Sequence, residues 1–413
     1  MDNVTHTLIS IVVGEALHRS IRPSTVLSDR ARRTVALTVM AVGGNLPDID
    51  VAYTGWAGTT LDYLLHHRGH THTILGALGL SVLLFLAVRL WWRFTKVTPS
   101  RADLLFVAGV AVLAPLLHIG LDFTNSYGVH PLWPVDNHWY YGDAVFIVEP
   151  ALWASAAVLL FVLPSRVVRG LIAFFLLAGL AAAWFTGFVP VSFALMLTAL
   201  MVGLAAVSRF CPPRVALAGG IAAWLLVTAA FVGTSWTARG DIETALTRSF
   251  PTARTLDTVL TPMPVNPVCR EVLTVQVDQD RYIVRRVFHS LAPGWIPASR
   301  CAMLVRRGTE TTAQLTPVAR ADTDELVWAG ELSMPAGLLS GIGGESCAAK
   351  ALLQFARVPT ATAKGDGWII GDLRYDMEPG LGLTEIETGP GHDQCPRLTA
   401  PWIPPRHDLL YGD

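Results

Sequence analysis

Runs of about 20 residues with at most one charged side chain recur through the first half of this chain, and such runs fit a lipid bilayer. In hydrocarbon every backbone polar group must be paired within its own segment, so each run has to be an α-helix. Thr73 to Trp92, Leu104 to Leu121, Val145 to Leu163, Val167 to Phe185, Val191 to Val207 and Val215 to Trp236 are the predicted spans. The Trp91-Trp92 pair closes the first of them, where aromatic residues collect at a membrane–water interface. Composition agrees: 15% of the 413 residues are charged and 52% hydrophobic, against about 25% charged in a typical soluble domain. Net charge is -1, which offers no overall pull toward nucleic acid.

Two shorter apolar helices precede the spans, Thr5 to His18 and Thr34 to Gly44. Each is short for a bilayer, so they enter partway or pack under the longer helices. Asp2 or Asn3 caps the first. Without a basic leader or a small-residue cleavage site, the N-terminus does not read as a cleavable signal.

Loop charges orient the helices. Arg and Lys collect in loops 19–33 (Arg19, Arg22, Arg30, Arg32, Arg33), 93–101, 166–169 and 209–214, whereas 45–71, 122–144 and the turn at Gly187-Phe188 are poor in them. The positive-inside rule makes the first set cytoplasmic and puts everything after Trp236 outside. That last part alternates as strands do, in Val272 to Val277 and Tyr282 to Phe288, with Gly and Pro between. The expected architecture is an α-helical polytopic membrane domain over 1–238, followed by a β-rich extracytoplasmic domain over 239–413. Its setting is a membrane with the second domain on the outer side. Cys269, Cys301, Cys347 and Cys395 fall in the second domain and Cys211 in a cytoplasmic loop. Two disulfides are expected, with three pairings open.

The chemistry concentrates at His66 to His72, which reads His-His-Arg-Gly-His-Thr-His and holds four of the chain's 12 histidines. Imidazole is the commonest ligand for transition metals, and guanidinium the planar partner of phosphate. The outward helix ends add His6, Asp48, Asp50, His118, Asp122 and Asp143 at the same depth. His118 and Asp122 are spaced i, i+4, so one helix face presents both to one ion. Asp48 and Asp50 follow Pro47, which stops the helix and leaves both carboxylates on one side of an extended segment. Mixed imidazole and carboxylate suits zinc first, then manganese or iron, and more than four candidate donors suggests two or more ions. Clustered ions lower the pKa of a bridging water, the expected nucleophile at a phosphoester, with Arg68 on a phosphate oxygen. His18, His130 and His138 read as ordinary interfacial residues.

These pieces together resemble the YdjM-like family of membrane-bound metal-dependent hydrolases. The matching motifs are Met1-Asp2-x-x-Thr5-His6, Pro47-Asp48-Ile49-Asp50, His67-Arg68-Gly69-x-Thr71-His72, His118-x-x-x-Asp122 with Tyr127-Gly128, and Gly142-Asp143-x-x-Phe146-Ile147-x-x-Pro150. They keep order and spacing over roughly residues 1–150. The family is similar in ligand style to zinc-dependent phospholipase C and S1/P1-type nucleases. The resemblance implies metal binding by His6, Asp48, His67, His72, His118 and Asp122, with Arg68, Asp50 and Asp143 in supporting catalytic positions. His66 and His70 match no fixed position. Glu149 stands where the family often has Asp. Phe355-x-Arg357-x-Pro359 and Asp372-Leu-Arg374-Tyr375 resemble its outer domain more loosely.

The sequence therefore points to hydrolysis of a phosphoester in a lipid-linked or periplasmic small molecule at the bilayer surface. An amide or ester hydrolase is the rival within enzymes, although His-Glu-x-x-His and Gly-x-Ser-x-Gly are both missing. A structural or sensing metal cluster is the non-catalytic rival. A metal transporter would want ligands near the bilayer midplane, where the sequence has none.

Overall fold

The structure, a computed structural model, describes residues 1–21, 26–55, 58–305 and 310–412; Arg22 of the first basic loop lies outside them. Among the described residues, five helices are long and apolar enough to cross a membrane: Ile74–Phe94, Arg101–Phe123, Arg166–Phe185, Val191–Phe210 and Pro213–Ser249. Asp29–Gly43 continues past a 51° bend into Leu46–Thr54 and makes a sixth candidate. Asn3–Ser20 packs along Asp29–Gly43, with Leu8, Ile9 and Val12 buried. Asp2 is its cap, accepting from Thr5 N at 2.9 Å and Thr5 Oγ1 at 2.6 Å.

The segment expected to span as Val145 to Leu163 does not form one long helix. It is a shorter, broken helix over Pro150–Val162, started by the Glu149 cap with Pro150 in the first turn. Ala151 to Leu159 are all buried. An alanine-rich segment enclosed by other helices has no lipid to match, so it does not need about 20 residues.

The last helix, Pro213–Ser249, has 37 residues and rises about 55 Å. That exceeds a hydrocarbon core of about 30 Å. Its C-terminal turns bury Ala238, Ile242 and Leu246 against Leu260, Val272 and Val287 of the following sheet. The boundary expected at 238/239 therefore falls inside one continuous helix.

The C-terminal region is rich in β-sheet. Strands β1 (Arg254–Met263), β2 (Asn266–Asp278), β3 (Arg281–Ser290) and β4 (Leu326–Pro335) form an antiparallel sheet in sequence order. A smaller sheet joins β5 (Pro359–Lys364), β6 (Gly367–Asp372) and β7 (Ile386–Glu387). Of the three open pairings the structure forms Cys269–Cys301 and Cys347–Cys395, with Cys211 free. The second disulfide closes 48 residues of chain and anchors the tail that reaches back over the helices. Replacing both its cysteines with serine is expected to cost about 3 kcal/mol. Urea unfolding of the C-terminal region without reductant checks this: the variant's midpoint should fall below that of wild type, and reductant, which also opens Cys269–Cys301, should bring the two midpoints together.

Candidate metal centre

Leu46–Asp50 is a 3-10 turn rather than an extended segment. Pro47 fixes its first turn, and at about three residues per turn side chains two apart point in different directions. The two carboxylates consequently take different hydrogen-bonding partners. Asp48 Oδ1 lies 3.4 Å from His72 Nε2 and 3.5 Å from His118 Nε2. Asp50 instead meets His67 Nδ1 at 3.0 Å and accepts from Arg68 N at 3.0 Å and Thr71 Oγ1 at 2.8 Å.

His118 and Asp122 share a face of the Arg101–Phe123 helix, with Nε2 and Oδ2 3.3 Å apart. His118 Nδ1 lies 2.7 Å from the carbonyl of Gly44. A carbonyl only accepts, so Nδ1 carries the proton and Nε2 turns its lone pair to the cluster. Glycine is needed at 44, since a Cβ there would stand 2.2 Å from Ser10 Oγ. Thr73 caps the Ile74–Phe94 helix, accepting from Gly76 N at 2.8 Å, and so holds His72 at the helix start. His72 Nε2 stands 3.0 Å from His118 Nε2 and 3.2 Å from Asp122 Oδ2.

Four donor atoms thus converge, from Asp48, His72, His118 and Asp122, all within 4.8 Å of one another. Five of their separations run from 3.0 to 3.5 Å. Ligands set tetrahedrally about 2.0 Å from a zinc ion stand about 3.3 Å apart, so the spacing fits such an ion. Polar bookkeeping agrees. His6 is fully buried, stacks on His118 at 3.7 Å, and neither ring nitrogen has a hydrogen-bond partner among the described residues; nor does Asp122 Oδ2. Burial works against a charged His72, yet Asp122, Asp48 and Asp50 outweigh it and push its pKa up to about 10. Three carboxylates call for positive charge at this spot.

The other expected residues take distinct places. His6 Nε2 approaches Asp122 Oδ1 at 3.3 Å, and the α-amino group of Met1 also meets that oxygen. Asp48, Asp50 and His67 form a second group able to hold an ion, with Asp48 common to both. Arg68 is buried and binds Asp122 Oδ1 through Nη2 at 3.0 Å and Asn125 Oδ1 through Nη1 at 3.0 Å. Its φ is +62°, a left-handed conformation costing a side chain about 1–3 kcal/mol. Asp143, at φ +51°, lies apart from the cluster. Arg357 grips it with two bonds of 2.8 and 2.9 Å, and Arg239 adds a third at 2.9 Å. His70 faces Trp133 and Trp402 rather than the cluster.

Several wall residues lie outside the donor set that the sequence marks, although Asp372 and Arg374 belong to the Asp372-Leu-Arg374-Tyr375 piece. Trp402 donates to Leu65 O and stacks at 3.7 Å on His130, which in turn meets Arg68 O at 3.2 Å. Backbone amides of Arg397 and Leu398 bond Asp62 at 2.8 and 3.0 Å. Arg374 pairs with Asp372 at 2.7 Å and donates to Ser126 O at 2.6 Å. No local pattern ties these residues to the cluster more than 250 positions earlier. Asn125 had one available signal, its place just past the Asp122 helix end.

Comparison with known proteins coincides with this half of the chain. Residues 1–191 match the family described as YdjM inner membrane protein. The motifs from Met1 to Pro150 lie in that stretch, whereas Phe355-x-Arg357-x-Pro359 and Asp372-Leu-Arg374-Tyr375 lie beyond it. With its apolar helices, the match makes this an inner membrane protein whose His/Asp cluster could hold a metal ion. Among curated relatives, the uncharacterized protein YfhP of Bacillus subtilis (strain 168) is 27% identical over 155 residues, covering 38% of this chain and 44% of that protein. The chain therefore spans less than half of that relative's length. No solved structure matches.

Proposed function

We propose that this YdjM-family chain is a metal-dependent hydrolase of phosphoesters working at the extracytoplasmic face of the inner membrane. The observation that carries the proposal is the convergence of two imidazole and two carboxylate donors at near-tetrahedral spacing beside Arg68. Asp48, His72, His118 and Asp122 would hold one ion, zinc foremost, with His6 adjoining. Asp48, Asp50 and His67 would hold a second. Bound there, such ions would supply Lewis acidity and lower the pKa of a water. Asp50 steadies His67 and, at 3.4 Å from its Nδ1, His72. Arg68 holds one oxygen of Asp122 so that the other faces the donors, and it carries the positive charge that a phosphoryl oxygen needs. The basic loops all lie at the opposite ends of these helices, which supports an outward-facing centre and an extracytoplasmic C-terminal region.

The test is turnover by full-length protein stripped with chelator and reloaded with zinc, manganese or iron. Soluble phosphomonoesters and phosphodiesters serve as substrates beside phosphatidic acid and phosphatidylglycerol in mixed micelles. Turnover that vanishes on stripping and returns with one metal is the expected result. A metal-loaded protein inert toward all of them, but less stable when stripped, would favour the structural-cluster reading. That rival draws on the four protein donors, which by themselves complete a closed tetrahedral set.

A further inference from the structure

Beside the metal donors the structure leaves a group of buried hydrogen-bond donors unspent. Arg68 Nε, Asn125 Nδ2, Tyr127 Oη and Tyr375 Oη are all buried atoms without a hydrogen-bond partner among the described residues. They belong to one neighbourhood. Arg68 bonds Asn125 at 3.0 Å and its guanidinium lies 4.8 Å from the centre of the Tyr127 ring. The Tyr127 and Tyr375 rings are 6.1 Å apart. Arg68 and Asn125 are only 2% and 3% exposed.

The orientation of each donor is set by its neighbours. Asn125 Oδ1 accepts from both Arg68 Nη1 and Tyr127 N, the latter at 2.9 Å, so the amide NH₂ must point the other way. Arg374, clamped on Asp372, donates to Ser126 O and Phe355 O and so seats Tyr375 against the 125–128 loop. Gly128, at φ +101°, allows that loop to turn where a Cβ would sit 2.5 Å from the Tyr141 ring. A phenol hydroxyl keeps its proton at neutral pH, so both Tyr127 and Tyr375 have one to donate.

Leaving one buried polar group unpaired is costly, and four in one place is more than a fold carries without a partner. Every one of the four can donate, and a charged acceptor satisfies such a set best. We infer that Arg68, Asn125, Tyr127 and Tyr375 form an anion subsite beside the metal centre that receives the phosphate group of the substrate, with Tyr375 supplied by the C-terminal region. The assignment rests on the hydrolase reading and extends it. It gives the β-rich region a part in recognition, and it makes the ligand an acceptor-rich anion rather than a neutral ester or an amide.

Inorganic phosphate is the probe, titrated calorimetrically into zinc-loaded, full-length protein in detergent, with chloride as the control anion. Wild type should bind phosphate saturably. Tyr127→Phe combined with Tyr375→Phe removes two hydroxyls and little else, and should weaken phosphate binding about 100-fold. Zinc content should be unchanged. The phosphate-free melting temperature should also hold, because neither hydroxyl has a hydrogen-bond partner to lose among the described residues. Phosphate bound equally well by the double variant, no binding by wild type, or a fall in the phosphate-free melting temperature would each overturn the subsite. If that happens while metal-dependent turnover persists, the hydrolase reading stands without it. If zinc-loaded wild type turns nothing over yet binds phosphate through these tyrosines, the subsite stands and the hydrolase reading falls.

Discussion

Asp122→Asn should strip the centre of its metal: purified variant is expected to carry less than a tenth of the wild-type metal and to lose turnover by at least about 1000-fold. Asp122 is the hub, meeting Arg68 at 3.0 Å and His72, His118 and His6 at 3.2 to 3.3 Å. Changes one shell out from a metal typically cost 10–100-fold in affinity or activity, and loss of a direct donor should exceed that. Asparagine keeps the shape and spares Arg68 a void, which Asp122→Ala would not. Either change removes the carboxylate charge that Arg68 faces, so the amide is chosen for its shape and its retained hydrogen-bonding oxygen, and the fold is verified before metal is counted. His72→Ala should behave alike, whereas His138→Ala, on an exposed loop, should keep full metal. Metal analysis by mass spectrometry on protein of verified fold decides it. A stoichiometric ion in Asp122→Asn would end the case for this centre.

Arg357→Met is expected to destabilise the docking of the C-terminal region by about 3–5 kcal/mol, the usual cost of breaking a buried ion pair from one side. Arg357 is buried and spans two segments, gripping Asp143 at 2.8 and 2.9 Å and Asp257 at 2.8 and 3.0 Å. Burial opposes its charge, but the two carboxylates prevail and hold its pKa well above the ordinary value. Burial likewise opposes the Asp257 carboxylate, and the Arg357 guanidinium keeps its pKa low instead. With the guanidinium gone, Asp143 retains Arg239, and Asp257 retains Arg406 at 3.4 Å and the backbone amide of Thr258 at 2.8 Å. Limited proteolysis should then release the C-terminal region at a denaturant concentration that wild type withstands. Replacing Asp143 and Arg357 together with leucine should recover part of the loss, because no charge is left stranded. A single variant as protease-resistant as wild type would show that this network does not join the two parts.

The same contact recasts Asp143. From the sequence it stood beside the metal donors as one more carboxylate at a helix end. In the folded chain its acceptors are used by Arg357 and Arg239, and its reach to the centre runs only through Asn125, whose carbonyl meets its backbone amide at 3.4 Å. No reading of residues near 143 could have anticipated a partner 214 positions away.

What the amino-acid sequence determined by itself was whatever depends on neighbours a few residues apart. Long apolar runs had to become helices, because hydrocarbon leaves a backbone no other partners. The i, i+4 spacing of His118 and Asp122 placed both on one face, since helical pitch is a local property. Tertiary structure decided the rest. It curled Leu46–Asp50 into a 3-10 turn that gives Asp48 and Asp50 different partners, and it kept Pro150–Val162 short because other helices enclose it. It chose one cysteine pairing of three, and it brought Trp402, Arg374 and Arg357 over the helix ends. Those outcomes follow from which surfaces fit together across hundreds of residues, and packing of that range leaves no periodic mark in the chain.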